Sequence, residues 1–151
     1  IYTALAAVAG EAFIPGSAVY ISATQATAIM SIHYIYTGEV LSKKSALAAL
    51  PLFASQSAGT NIFLWAKSIL PPTGVLDVAA AGIATVVTLA MLTTVNWVYE
   101  NGYNLDDKTE LKDKFNSIYK VLKDIGPQEI FNIIKNRDID AIKKLIEKFV
   151  K

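Results

Sequence analysis

Residues 78–99 read VAAAGIATVVTLAMLTTVNWVY, and the fold turns on what buries those twenty-two positions. No Asp, Glu, Lys or Arg interrupts them. A helix of this length, at 1.5 Å per residue, is about 33 Å long and so reaches across a hydrocarbon core of ~30 Å. Eight Leu, Ile or Val residues favour insertion by about 0.3 to 0.6 kcal/mol each, about 2 to 5 kcal/mol together. Four threonines, Asn96 and Gly82 erode that gain, so insertion is marginal by composition. A helix apolar nearly all round must still be buried by something: lipid, its own chain or another subunit.

Two further charge-free runs, 12–38 and 45–66, lie upstream. Residues 1–100 hold seven charged side chains and residues 101–151 hold twenty, which divides the 151-residue chain into a hydrophobic part, 1–103, and a charged part, 104–151. A hydrophobic fraction of 53% and mean hydropathy of +0.39 exceed those of an ordinary soluble domain. They fall short of a multi-span transporter because Ala, Ser and Thr replace Leu and Phe. Net charge of +1 gives no electrostatic basis for nucleic-acid binding. Without cysteine there is no disulfide framework and no thiolate metal site. The start at Ile1, inside an apolar stretch with no basic flank, is expected of a piece of a longer chain.

Punctuation residues set the helices. Pro15-Gly16 stops a short Ala-rich helix over 3–13, and Ser17 can cap a second running to Thr37, with Gly38 in the left-handed position after it. Ser42 can cap a third, 43–67, containing Pro51. Leu70-Pro71-Pro72-Thr73-Gly74 breaks the chain before a fourth helix, 75–100, ending near Asn101-Gly102. In the charged part, Asp107 and Glu110 have the spacing of a capping box, followed by Leu111, Phe115, Ile118, Leu122 and Ile125 on one face. Gly126-Pro127 separates a helix over 128–136 carrying Ile130, Phe131, Ile133 and Ile134. Asp138 can cap a last one with Ile139, Ile142, Leu145, Ile146 and Phe149 on one face. The expectation is an all-α protein: a hydrophobic four-helix double hairpin followed by three amphipathic helices.

Small residues recur at packing intervals. Ser17, Thr24, Ser31 and Gly38 follow every seven residues with Ala28 beside them, and Gly59, Ala80 and Ala84 give the other helices small-residue seams that allow close backbone approach. Lipid insertion, and a soluble bundle or oligomer packed through these seams, both satisfy that pattern. In the double hairpin the N-terminus, Lys43-Lys44 and the charged tail share one side, as a cytoplasmic face would. Trp65, Trp97, Tyr99 and Tyr103 near helix ends suit an interfacial belt or rim packing equally.

The order Phe13-Ile14-Pro15-Gly16, Gln25, Met30, Tyr36-Thr37-Gly38, Leu41-Ser42, Ser57-Ala58-Gly59, Leu70-Pro71-Pro72-Thr73-Gly74 and Ala79-Ala80-Ala81-Gly82 resembles a known family. It is the hydrophobic helical domain of unknown function found C-terminal to Era-like small GTPase domains and in related bacterial inner-membrane proteins. The resemblance covers residues 5–103. The family has Pro-Gly before its last helix where this chain has Pro71-Pro72-Thr73-Gly74. It implies a membrane-associated or regulatory module at the inner membrane or its cytoplasmic face, with a GTPase domain upstream or separate, and it lends no catalytic residues.

The chain's own residues offer little chemistry. No glycine precedes a lysine, so the core of a phosphate loop is missing. His33 is the sole histidine. It could join Glu11 or Glu39 in an intramembrane relay, or be hydrogen-bonded within the bundle. Gln25 is the second candidate for a buried polar position. No enzyme and no cofactor is expected. The functional expectation is a non-enzymatic module that associates with a bilayer or oligomerises and tethers or regulates a GTPase-type protein; the alternative is a cytoplasmic helical adaptor that self-associates.

Overall fold

A computed structural model describes residues 1–11, 17–54 and 78–150, which form seven helices and no strand. They are α1 (Tyr2–Glu11), α2 (Ser17–Thr37), α3 (Lys43–Ala54), α4 (Val78–Glu100), α5 (Lys108–Ile125), α6 (Pro127–Lys135) and α7 (Ile139–Val150). The chain is therefore all-α. The two proline-containing turns, Pro15-Gly16 and Pro71-Pro72-Thr73-Gly74, lie outside the described residues, as do Trp65 and the seam position Gly59.

α4 is the axis of the molecule. Every residue from Ala84 to Val95 is buried, as are Gly82 and Val98, so burial follows no single face. The burying surfaces belong to the chain itself, because α1, α2, α5, α6 and α7 all pack on α4. Gly82–Glu100 is the one helix among the described residues long and apolar enough to cross a membrane, and 78% of that window is buried by its neighbours. Two of those neighbours supply clear amphipathic stripes. α5 buries Leu111, Phe115, Ile118, Tyr119 and Leu122, and α6 buries Ile130, Phe131 and Ile134. Most of their lysines and carboxylates, Lys120, Lys123, Asp124, Glu129 and Lys135 among them, stay exposed on the outer faces. α3 packs on α2 and α5, where the Phe53 and Phe115 rings meet at 5.3 Å.

One close approach sets the position of α6. A Cβ on Gly82 would stand 2.9 Å from the Pro127 carbonyl oxygen and 3.0 Å from its carbon. Only a glycine lets the first turn of α6 sit against α4 there.

Local signals end most helices. Gly38 (φ 70°) follows α2, and its N–H donates to the Tyr34 carbonyl. The Ser45 N–H donates to Ser42 Oγ at the start of α3, and the Ala141 N–H to Asp138 Oδ1 at the start of α7. α4 ends in a Schellman motif at Gly102: the Tyr103 N–H donates to the Val98 carbonyl and the Gly102 N–H to that of Tyr99. α6 ends the same way with Arg137 (φ 57°) in the left-handed position.

Two expectations need correction. Asp107 makes no side-chain cap to α5; its Oδ2 instead accepts from the Asn104 N–H in the preceding turn, so the capping box with Glu110 does not form. Ile139 does not share the inward face of α7, since it is 45% exposed while Ile142 is buried and Leu145, Ile146 and Phe149 are half-buried. It sits in the first turn, before the helix meets the body.

Candidate functional site

The surface that stands out is the outer side of α1 and α2. From Ile1 to Thr37 the sole Asp, Glu, Lys or Arg is Glu11. Water-facing helices ordinarily carry charge, as α5 to α7 do. α2 instead exposes Tyr20, Thr27, Ser31, Tyr34 and Ile35, spaced as one helical face, with Ile35 77% exposed. Val40, 82% exposed, continues it into the connection to α3, where Lys43 and Lys44 follow, both exposed.

A cleft of about 510 Å³ runs between α1 and α2, lined on one wall by Thr3, Ala4 and Ala7 and on the other by Tyr20 to Ser31. Two of its hydroxyls are turned inward to their own helix: Thr27 Oγ1 donates to the Ala23 carbonyl (2.8 Å) and Ser31 Oγ to that of Thr27 (3.0 Å). No charged side chain lines it.

Behind this face α2 meets α4 through polar pairs that climb both helices in the same direction. Low on the pair, Gln25 Nε2 donates to Thr88 Oγ1 (2.9 Å), and Thr88 passes its own proton to the Ala84 carbonyl (2.8 Å). Both side chains are buried, so each bond satisfies a group that water cannot reach. Higher up, His33 Nδ1 and the Tyr99 hydroxyl lie 2.6 Å apart, one donating to the other according to the imidazole tautomer. The Tyr36 ring stacks on Tyr99 with centroids 5.6 Å apart. The Tyr36 oxygen lies 2.7 Å from Glu100 Oε2 and 2.8 Å from the Asn96 amide. A phenol has one proton, and the carboxylate is the stronger acceptor. The Asn96 amide is then best satisfied by turning its NH2 to the Tyr36 oxygen.

This cluster holds phenols in their neutral form. Burial first, then the hydrogen bond to and the charge of Glu100, push Tyr36 up to about 12. Burial, then the charge of Asp106, push Tyr99 to about 12. Both phenols stay protonated and link α2 to α4 across the physiological range. No group of three or more His, Cys, Asp or Glu suited to a metal occurs among the described residues.

The sequence-derived positions distribute as follows. Gln25 is buried against Thr88, and His33 is half-buried against Tyr99, with neither Glu39 nor any other described carboxylate as its partner. Of the seam residues, Thr24, Ala28 and Ser31 line the α1–α2 cleft, and Ala84 is fully buried in α4. Ser17 and Ala80 belong to α2 and α4. The close approach on α4 falls at Gly82, between Ala80 and Ala84. Trp97 stacks on Tyr103, and Lys114 Nζ of α5 lies 4.8 Å over its ring, so protein covers it.

Reasoning from sequence missed Thr88, Asn96 and Glu100 as partners of α2, and Tyr36 as their hub. A signal was present: polar residues at 88, 96 and 100 recur at helical spacing on an otherwise apolar helix, as Gln25, His33 and Tyr36 do on α2. Comparison with known proteins gave no match, whether to family models, curated proteins or solved structures.

Proposed function

We propose that the chain is a non-enzymatic helical module that associates with a membrane through the uncharged outer face of α1 and α2, on the cytoplasmic side of the inner membrane. There it tethers or regulates a GTPase-type protein. The observation that carries the membrane reading is the exposed α2 face, free of Asp, Glu, Lys and Arg over 21 residues and bearing Tyr20, Tyr34 and Ile35. Such a face offers water hydroxyls but no charge, whereas an interface takes up its aromatic and aliphatic side chains and leaves flanking lysines such as Lys43 and Lys44 among headgroups. α4 is not the membrane contact in this reading, because its own chain surrounds it. The arrangement proposed for 1–103 is the double hairpin, supported by the parallel course of α2 and α4. The GTPase partner rests on the order of turns and small residues in 5–103, read from the sequence as a resemblance.

Flotation with phosphatidylcholine–phosphatidylglycerol vesicles tests the reading. The chain rises with the vesicles, and Ile35→Asp with Tyr34→Asp leaves it at the bottom with unchanged helical content. A wild-type chain that stays down, monodisperse without lipid, sinks the proposal. A second reading rests on the same face: self-association through α2, as an adaptor. Light scattering separates the two, since that reading requires a dimer or larger species that the same substitutions dissociate.

A further inference from the structure

The cleft between α1 and α2 has a shape and chemistry more specific than the face around it. Its α2 wall runs from Tyr20 to Ser31, eleven steps along the helix, or about 16.5 Å at 1.5 Å per step. The hydrocarbon of one leaflet is half of a ~30 Å core, about 15 Å, so the cleft is as long as one acyl chain is deep. Its volume of about 510 Å³ lies in the range of sites that enclose a small molecule. Ala4, Ala7, Ala23 and Ala28 supply the apolar part of the walls between threonines and a serine, with tyrosine at one end.

Electrostatics decides the class of occupant. The Thr27 and Ser31 hydroxyl protons are already given to backbone carbonyls of α2. With those two donors spent and no charged side chain in the lining, an ionic ligand would lose its hydration and meet no side-chain charge of opposite sign. A hydrocarbon chain loses nothing by entering. No lysine, arginine or histidine side chain lines the cleft, and the uncharged α2 face beside it makes a bilayer lipid a nearer source of an acyl chain than a free fatty acid. A phospholipid keeps its headgroup outside, at the level of the half-exposed Tyr20.

We propose that this cleft seats one acyl chain of a bilayer phospholipid, drawn sideways from the leaflet on which the α2 face rests. The inference builds on the membrane-association reading and assigns that surface its lipid-binding element.

Photo-crosslinking tests it. The full chain is mixed with phosphatidylcholine–phosphatidylglycerol vesicles carrying a trace of phosphatidylcholine with a diazirine in its acyl chain, irradiated, floated and mapped by mass spectrometry. Adducts are expected on Ala7, Ala23, Thr27 or Ala28. Thr27→Trp, which fills the cleft from an exposed position, and Ala7→Leu, from the opposite wall, should each cut those adducts about tenfold, a loss of about 1.4 kcal/mol of occupancy. Should one variant lose helical content, the other and the wild-type adduct map still decide. If the chain floats but adducts fall elsewhere, or both folded variants label like wild type, the cleft is not the site and the membrane reading stands. If the chain does not float, the membrane reading falls and the acyl site with it. If a diazirine fatty acid without vesicles labels the cleft while the phospholipid does not, the bilayer source is wrong.

Discussion

Replacing Gly82 with alanine sets two effects of opposite sign against each other. In the interior of a helix alanine is favoured over glycine by about 0.8–1.0 kcal/mol, so propensity alone makes Gly82→Ala stabilising. The new Cβ, however, would stand 2.9 Å from the Pro127 carbonyl oxygen, 3.0 Å from its carbon and 3.3 Å from the Gln128 nitrogen. Ordinary contact begins at 3.4 Å, so α6 must retreat by 3.4 − 2.9, about 0.5 Å. The obstructing atoms are backbone, with no rotamer to turn aside, and α6 carries Ile130, Phe131 and Ile134 out of register with it. Forced overpacking of this kind costs about 1–3 kcal/mol. Taking about 2 against about 1, the variant is destabilised by about 1 kcal/mol, and Tm falls by about 2–4 °C for a chain of this size. Thermal and urea unfolding followed by far-UV circular dichroism measure it. Ala48→Gly, at an exposed position of α3, calibrates the propensity term and should lose about 1 kcal/mol. A Gly82→Ala chain more stable than wild type by that same amount would refute the close approach of α6.

Four other outcomes are expected. The Thr93 hydroxyl is buried with no hydrogen-bond partner among the described residues, so Thr93→Val removes an unsatisfied group at constant shape and raises stability by about 1 kcal/mol in urea unfolding. Thr88→Val strands the Gln25 amide and costs about 1–3 kcal/mol, whereas Gln25→Met leaves Thr88 bonded to Ala84 and costs less; a double mutant nearer to Gln25→Met than to the sum reports the coupling. Arg137→Gly relieves a left-handed residue in the turn after α6, and a rise in Tm corresponding to about 0.5–1 kcal/mol is expected. The phenols of Tyr36 and Tyr99 titrate near 12 when folded and near 10 when unfolded. Between those values the unfolded chain has lost protons that the folded one keeps, so stability falls as pH rises from 10 to 12. Tyr36→Phe with Tyr99→Phe should flatten that decline in pH-dependent unfolding, and an unchanged slope would remove these two groups as its cause.

The helices and most of their ends were legible in the sequence because their causes are local. Gly38 and Gly102 take left-handed backbone, Ser42 and Asp138 accept from amides three residues on, and the stripe Leu111-Phe115-Ile118-Leu122 needs only helical periodicity. Asp107 shows the limit even there: two acceptor uses for one carboxylate lie within three residues, and the turn at Asn104 takes it. Arg137 lacked any signal, since its conformation follows from where α6 must stop against the body.

The sequence by itself determined that residues 78–99 form a helix that must be buried on every side, and that α5 to α7 each have one apolar face. It could not decide between lipid and protein as the burying medium, because both are apolar and neither demands charge. Tertiary structure decided it by laying five helices on α4. It also paired Gln25 with Thr88, His33 with Tyr99 and Tyr36 with Glu100, across 60 or more residues of chain. No local rule reaches that far. The physical reason is that backbone hydrogen bonding and side-chain periodicity act within about four residues, whereas burial is a property of what the rest of the chain brings alongside.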